Sequence, residues 1–167
     1  MGHIEHKAQS PAIARCYVLT ISDTRTQETD TSGRAILDLL WAEGHQVTGR
    51  KIVRDEPDQV RSALQDQLKN PDVQVVITTG GTGITSRDST YEAIDGLLEK
   101  RLDGFGELFR FLSYQEIGSA AMLSRACAGT VKQRVIISLP GSEHAVRLAM
   151  TKLVLPELGH LVREASR

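Results

Sequence analysis

Short runs of consecutive apolar residues alternate along the chain with longer stretches whose apolar residues recur every three to four positions. Residues 16–21 (CYVLTI), Gln46–Val53, residues 73–79 (VQVVITT) and Arg134–Leu139 (RVIISL) read as buried strands, the third being the most apolar and β-branched. Between them the period lengthens to that of a helix. Ile36, Leu39 and Leu40 share a face that stops at Gly44, and Pro57 opens a helix burying Val60, Ala63, Leu64 and Leu68. Ser89 and Glu92 fit a capping box ahead of Ile94, Leu97 and Leu98. Phe105, Leu108, Phe109 and Leu112 mark a further helix, residues 120–125 another, and Ala145, Leu148, Ala149 and Leu153 the last.

Strands alternating with helices predict an α/β fold, an open, mostly parallel sheet flanked by helices on both faces. Residues 1–12, with His3 and His6, read as a flexible tail without the apolar segment of a signal peptide, and residues 13–167 as a single domain. The 167 residues carry a net charge of −1, so no domain-wide positive field exists for a nucleic acid polymer or an anionic membrane. No apolar run approaches the ~20 residues that cross a bilayer. The two cysteines, Cys16 and Cys127, exclude a disulfide scaffold and a four-thiolate zinc site. Both read as reduced core residues, which points to a cytoplasmic location. His45 and His160 are expected at the surface.

In open parallel sheets, ligands bind outside the carboxyl ends of the strands. Those ends are here Ser22-Asp23, residues 53–55, residues 79–83 and Pro140-Gly141-Ser142. In the segment TTGGTGITSRDST (residues 78–90), Gly80, Gly81 and Gly83 allow a sharp turn that aims successive N–H groups at an anion, and Thr79 and Thr82 add hydroxyls. The plainer reading is a strand-to-helix turn that needs glycine for geometry alone. The loop has no lysine for a Walker motif, and Ser86 stands where a dinucleotide fingerprint has its third glycine. Asp55 and Asp88, at two strand ends, could face one Mg²⁺ ion, with Arg87 forking onto a phosphate. Taken singly, Asp55 also suits a helix start and Asp88 an N-cap. Ser142 lies outside a nucleophile elbow. The chemistry implied is binding or transfer of phosphates by positioning and electrostatics.

The segments ISDTR, DTSG, ITTGGTG with RDST, LDGFGELFR, LSRACAG and LPGS follow one another over nearly the whole chain. Together they resemble the molybdenum cofactor biosynthesis proteins of the MoaB/MogA type, which include related domains of fusion proteins such as gephyrin. The stretch LSYQEIGSAAMLSRACAG is more similar to the B branch than to the adenylyltransferase MogA.

The resemblance implies an α/β fold, a homotrimer or homohexamer, and binding of molybdopterin. In active members the terminal phosphate of molybdopterin attacks the α-phosphorus of MgATP, giving adenylylated molybdopterin and pyrophosphate. The alternative it leaves open is a protein that holds molybdopterin or its precursor without transferring AMP. By resemblance, Asp55 and Asp88 match the two functionally important aspartates, catalytic and facing Mg²⁺. Ser22, Asp23, Thr79, Gly80, Gly81, Thr82, Gly83, Arg87, Thr90, Pro140, Gly141 and Ser142 would bind the substrates. His144 stands near a position where many relatives carry Lys, so one permanent cation for phosphate is replaced here.

Overall fold

Val75–Thr79, buried at all five positions, is the third strand in chain order and lies inside a six-stranded sheet in the computed structural model, which describes residues 2–167. The strands are β1 (Arg15–Ile21), β2 (Gln46–Val53), β3 (Val75–Thr79), β4 (Lys100–Arg101), β5 (Cys127–Val131) and β6 (Arg134–Leu139). Their spatial order is β2-β1-β3-β6-β5-β4. The first four in that order run parallel, and β5 and β4 run antiparallel at one edge. The helices are α1 (Gly2–Ala8), α2 (Thr31–Ala42), α3 (Pro57–Lys69), α4 (Thr90–Asp95), α5 (Asp103–Ile117), α6 (Glu143–Ala149) and α7 (Leu155–Ala165).

Alternation along the strands divides the core in two. Cys16, Val18, Val75, Ile77, Val135 and Ile137 pack under α2, α5, α6 and α7. Leu19, Ile21, Val76 and Ile136 pack on the other face under α3 and α4. Each fully buried Leu, Ile or Val contributes about 1.5–3 kcal/mol. The expected open, mostly parallel sheet with helices on both faces is the one observed. Among the described residues no helix is long and apolar enough to cross a membrane.

Several local expectations change. Residues 2–8, expected within a flexible tail, form α1 because α7 offers a partner far along the chain. Lys7 Nζ donates to Glu157 Oε1 at 2.8 Å and holds that carboxyl below its usual range. β4 and β5 lie outside the four expected strands. The β5–β6 hairpin turns through Lys132 and Gln133 at φ 49° and 61°, a conformation normally signalled by Asn-Gly, and CAGTV is a weak strand former. Residues expected as a helix around 120–125 instead end a 3₁₀ turn, Gly118–Leu123. Ser89 makes no capping box: its hydroxyl bonds Asp55, and α4 stops at Asp95, so Leu97 and Leu98 pack beyond it. Cys16 and Cys127 are free, and burial pushes both thiols up to about 12, which keeps them protonated.

His45, expected at the surface, is buried, and its Nδ1 accepts the Ala14 N–H at 3.1 Å. Burial holds its pKa below that of an ordinary imidazole, against the opposing charge of Glu43. The neutral ring is therefore favoured in the fold. Its contribution is complete above the ordinary imidazole pKa of about 6.5 and is lost as pH falls through the lower folded value. Thermal midpoints measured from pH 7.5 down to 5 should fall for this reason, and His45→Asn, which keeps an acceptor but cannot titrate, should flatten the profile. An equally steep profile in the variant would assign the acid sensitivity elsewhere.

Candidate functional site

Thr20 pairs with Thr79, and Thr79 with Leu139, so β1, β3 and β6 end level with one another. The loops that follow emerge side by side on one rim. The connection after β1 passes over one face of the sheet through α2, and the one after the neighbouring β3 starts over the other face with α4. Such a reversal between adjacent strands opens a crevice at their carboxyl ends. The backbones there are in contact. Gly80 donates its N–H to Leu139 O at 3.1 Å, with φ +102°, and a Cβ on it would sit 2.1 Å from Ile21 O. A Cβ on Gly141 would lie 3.4 Å from the Gly80 α-carbon. Above this floor is a cavity of about 380 Å³, lined by Ser22, Thr79, Gly80, Gly81, Gly141 and Ser142 together with Thr20, Ile21, Arg25 and Ser32.

The cationic wall of the cavity comes from residues that the sequence reading quoted in motifs but did not assign to the site. Arg25 Nη1 donates to Ser32 Oγ at 2.6 Å, and Nη2 donates to Gly141 O at 3.1 Å. Behind it, buried Asp30 accepts from Thr20 Oγ1 at 2.6 Å, Gly33 N at 3.0 Å and Arg50 Nη2 at 3.0 Å, and lies 3.5 Å from Arg25. Two guanidinium groups share one carboxylate, which leaves the group with a net positive charge beside the cavity. That is the sign a phosphate requires. An arginine four residues beyond the end of β1 was a visible signal, but its contact to Gly141 spans 116 positions.

Asp55 and Asp88 lie against the same glycine loop. Asp55 is buried, and its Oδ1 accepts from Ser89 N, Ser89 Oγ and Thr90 Oγ1 at 3.3, 2.9 and 3.3 Å. Its Oδ2 is turned to Gly81, where an added Cβ would be 2.9 Å away. Asp88 Oδ2 accepts from Thr85 N at 3.0 Å and Thr85 Oγ1 at 2.6 Å, and abuts Gly83. Among the described residues no group of three or more His, Cys, Asp or Glu forms a metal cage. Two hard oxygen donors are what Mg²⁺ takes from a protein when phosphate oxygens and water supply the rest, so the residues fit that ion.

The other expected residues are distributed around this centre. Thr90 donates its N–H to Gly81 O at 3.1 Å and so fixes the loop. Thr79 Oγ1, expected as a ligand donor, donates to Pro140 O at 2.8 Å. Since the Gly80 N–H is also taken, the donors of the nest begin at Gly81. Thr82 and Gly83 present their carbonyls to Arg125, a residue absent from the sequence-based site. Ser22 Oγ accepts from Thr24 N and Arg25 N, and Ser142 Oγ caps α6 by accepting from Ala145 N at 3.2 Å. Arg87, expected to fork onto a phosphate, forks onto Asp23 and also donates to Glu56 at 3.0 Å, because the loops after β1 and β2 place both carboxylates within reach. The Arg87 guanidinium holds the Asp23 carboxyl below the usual range. His144 pairs with Glu116 at an exposed position.

Comparison with known proteins accounts for this arrangement. The family model described as "Probable molybdopterin binding domain" matches residues 17–160, which span every loop of the rim. The chain is 54% identical over 168 residues to molybdenum cofactor biosynthesis protein B of Bacillus cereus, covering 100% of this chain and 99% of the relative. A crystal structure of a molybdenum cofactor biosynthesis protein B aligns with TM-score 0.90 at 54% identity, covering 94% of this chain and 98% of that one. The tungsten cofactor synthesizing protein MoaB from Pyrococcus furiosus aligns with TM-score 0.84 at 38% identity, covering 95% and 100%. Identity of this order from end to end, with the same sheet beneath it, shows that the chain belongs to the family of molybdenum cofactor biosynthesis protein B.

Proposed function

We propose that the protein acts in molybdenum cofactor biosynthesis by binding molybdopterin and transferring AMP to it from MgATP. The observation that carries this reading is the meeting of a positively walled cavity, large enough for more than a phosphate group, with two carboxylates packed against one glycine loop. In the reaction a terminal phosphate oxygen of molybdopterin bonds to the α-phosphorus of ATP while the bond from that phosphorus to the bridging oxygen breaks, and pyrophosphate leaves. Arg25, backed by Asp30 and Arg50, supplies fixed positive charge for the phosphates. The N–H groups from Gly81 onward and the Ser142 end of α6 add backbone donors at the same rim. Mg²⁺, when bound with ATP, supplies charge to offset that developing on pyrophosphate, and Asp55 and Asp88 would hold it. Because the donors are already fixed by their own hydrogen bonds, little reorganisation is needed at the moment of reaction.

The alternative, pterin binding without transfer, is favoured by one observation: His144 pairs with Glu116 and adds no permanent cation to the rim. Incubation of the purified protein with molybdopterin, ATP and Mg²⁺, followed by mass spectrometry, separates the two. Adenylylated pterin supports transfer. Pterin binding with no AMP transferred, under conditions where an active relative turns over, establishes the alternative.

The same reading carries a homotrimer or homohexamer. Leu108, Phe111, Tyr114 and Ile117 on α5, with Met122 and Leu123 just after it, are all more than half exposed. A contiguous apolar surface of this kind marks an interface. Light scattering at micromolar concentration should give three or six times the chain mass, and Phe111→Asp with Ile117→Asp should reduce it. A monomeric wild type would overturn the assembly.

A further inference from the structure

We infer that Arg125 is a positioning residue that holds the glycine-rich loop, and with it Asp88, in the shape that receives phosphate. The inference rests on the proposed phosphate-binding role of that loop. Glycine-rich backbone has little intrinsic order, so a loop that must present donors in one geometry needs restraint from outside. Arg125 supplies it from the segment just before β5. Its Nε donates to Thr82 O at 2.9 Å, and its Nη2 donates to Gly83 O. Nη1 donates to Glu92 Oε1 on α4, and the guanidinium lies 4.8 Å from the centre of the Tyr91 ring.

These partners define what the side chain does. Two carbonyls, a carboxylate and an aromatic face occupy a planar fork that lysine cannot reproduce with one point donor. Glu92 balances the charge, and Arg125 in turn holds that carboxyl below its usual range. Arg125 therefore acts on the loop rather than as a cation for substrate. On the opposite side of the loop, the Gly83 α-carbon faces Asp88, where an added Cβ would be 2.6 Å from Oδ2. That oxygen also accepts both bonds from Thr85. Gly83 thus has Arg125 at its carbonyl and Asp88 packed against its α-carbon, so a shift of Gly83 on loss of Arg125 moves the backbone against which the Thr85-held carboxylate rests.

The test measures hydrogen exchange over residues 80–88 beside MgATP affinity in the full chain, for Arg125→Lys and Glu92→Gln. Arg125→Lys should melt near wild type, yet exchange in the loop should rise about tenfold and MgATP affinity fall by a similar factor, the worth of one charge-assisted hydrogen bond. Glu92→Gln, which leaves Arg125 on the carbonyls without its counter-charge, should raise exchange in the same loop by less. If Arg125→Lys does not fold, the Glu92→Gln exchange decides alone. Wild-type exchange in the folded variants, or affinity that falls only in step with the thermal midpoint, would overturn the positioning role. A wild type with no MgATP affinity would overturn the phosphate reading and Arg125's role toward phosphate, while the exchange data would still report whether Arg125 orders the loop.

Discussion

AMP transfer by Asp88→Asn is expected to fall about 10²–10³-fold, the usual cost of removing one preorganised electrostatic element, with the thermal midpoint and pterin affinity near wild type. The substitution isolates charge from shape. Asp88 Oδ2 accepts the Thr85 N–H and hydroxyl, and an asparagine carbonyl oxygen accepts the same two bonds. The loop therefore keeps its geometry while one of the two carboxylates against it becomes neutral. A helix-cap role predicts no such loss, since Asn caps as well as Asp. The structure already weakens that role, because α4 begins at Thr90 after Ser89, and the Asp88 carboxylate bonds back to Thr85 rather than into the helix. Transfer rates, pterin affinity and melting measured on one preparation settle the matter. Near-normal transfer would return Asp88 to the turn it makes with Thr85.

Gly80→Ala is expected to lower the thermal midpoint by several degrees and to abolish substrate binding with it. Gly80 has φ +102°, a region that costs an L side chain about 1–3 kcal/mol. The new methyl would also sit 2.1 Å from Ile21 O, a backbone atom on the last residue of β1, which is in register with Val53 of β2. Overpacking of this kind adds about 1–3 kcal/mol, and each kcal/mol is worth about 2–4 °C in a chain of this size. The control is Gly44→Ala. Gly44 has φ +80° but nothing within 4 Å of an added Cβ, so only the conformational cost applies. Calorimetry on both variants should rank Gly80→Ala well below Gly44→Ala. Equal midpoints would show that Ile21 yields and that the close approach of β1 and β3 is soft.

Features that depend on neighbours in sequence were legible without coordinates. Period-two and period-3.6 patterns placed the four parallel strands and most helices, because burial of one face is written into residues a few positions apart. The glycines after β3 marked the rim, since their backbone needs are local, and Asp55 was picked out by its place at the end of the second strand and Asp88 by the RDST segment that contains it. What stayed hidden depends on partners far along the chain. α1 is ordered by Glu157, 150 residues from Lys7, and β5 by a hairpin whose Lys132-Gln133 turn carries no glycine. The same holds within the site. Arg87 reads as a phosphate fork until Asp23, 64 positions away, is seen to hold it, and Arg25 and Arg125 have no assignable role until Gly141 and Gly83 are brought to them. Sequence by itself thus determined the four parallel strands, the loops that follow them and the chemistry those loops suit. Tertiary structure alone decided which charges are balanced and which hydrogen-bond donors remain for a ligand, because a charged group's partner is set by proximity in space, and chain separation carries almost none of that information.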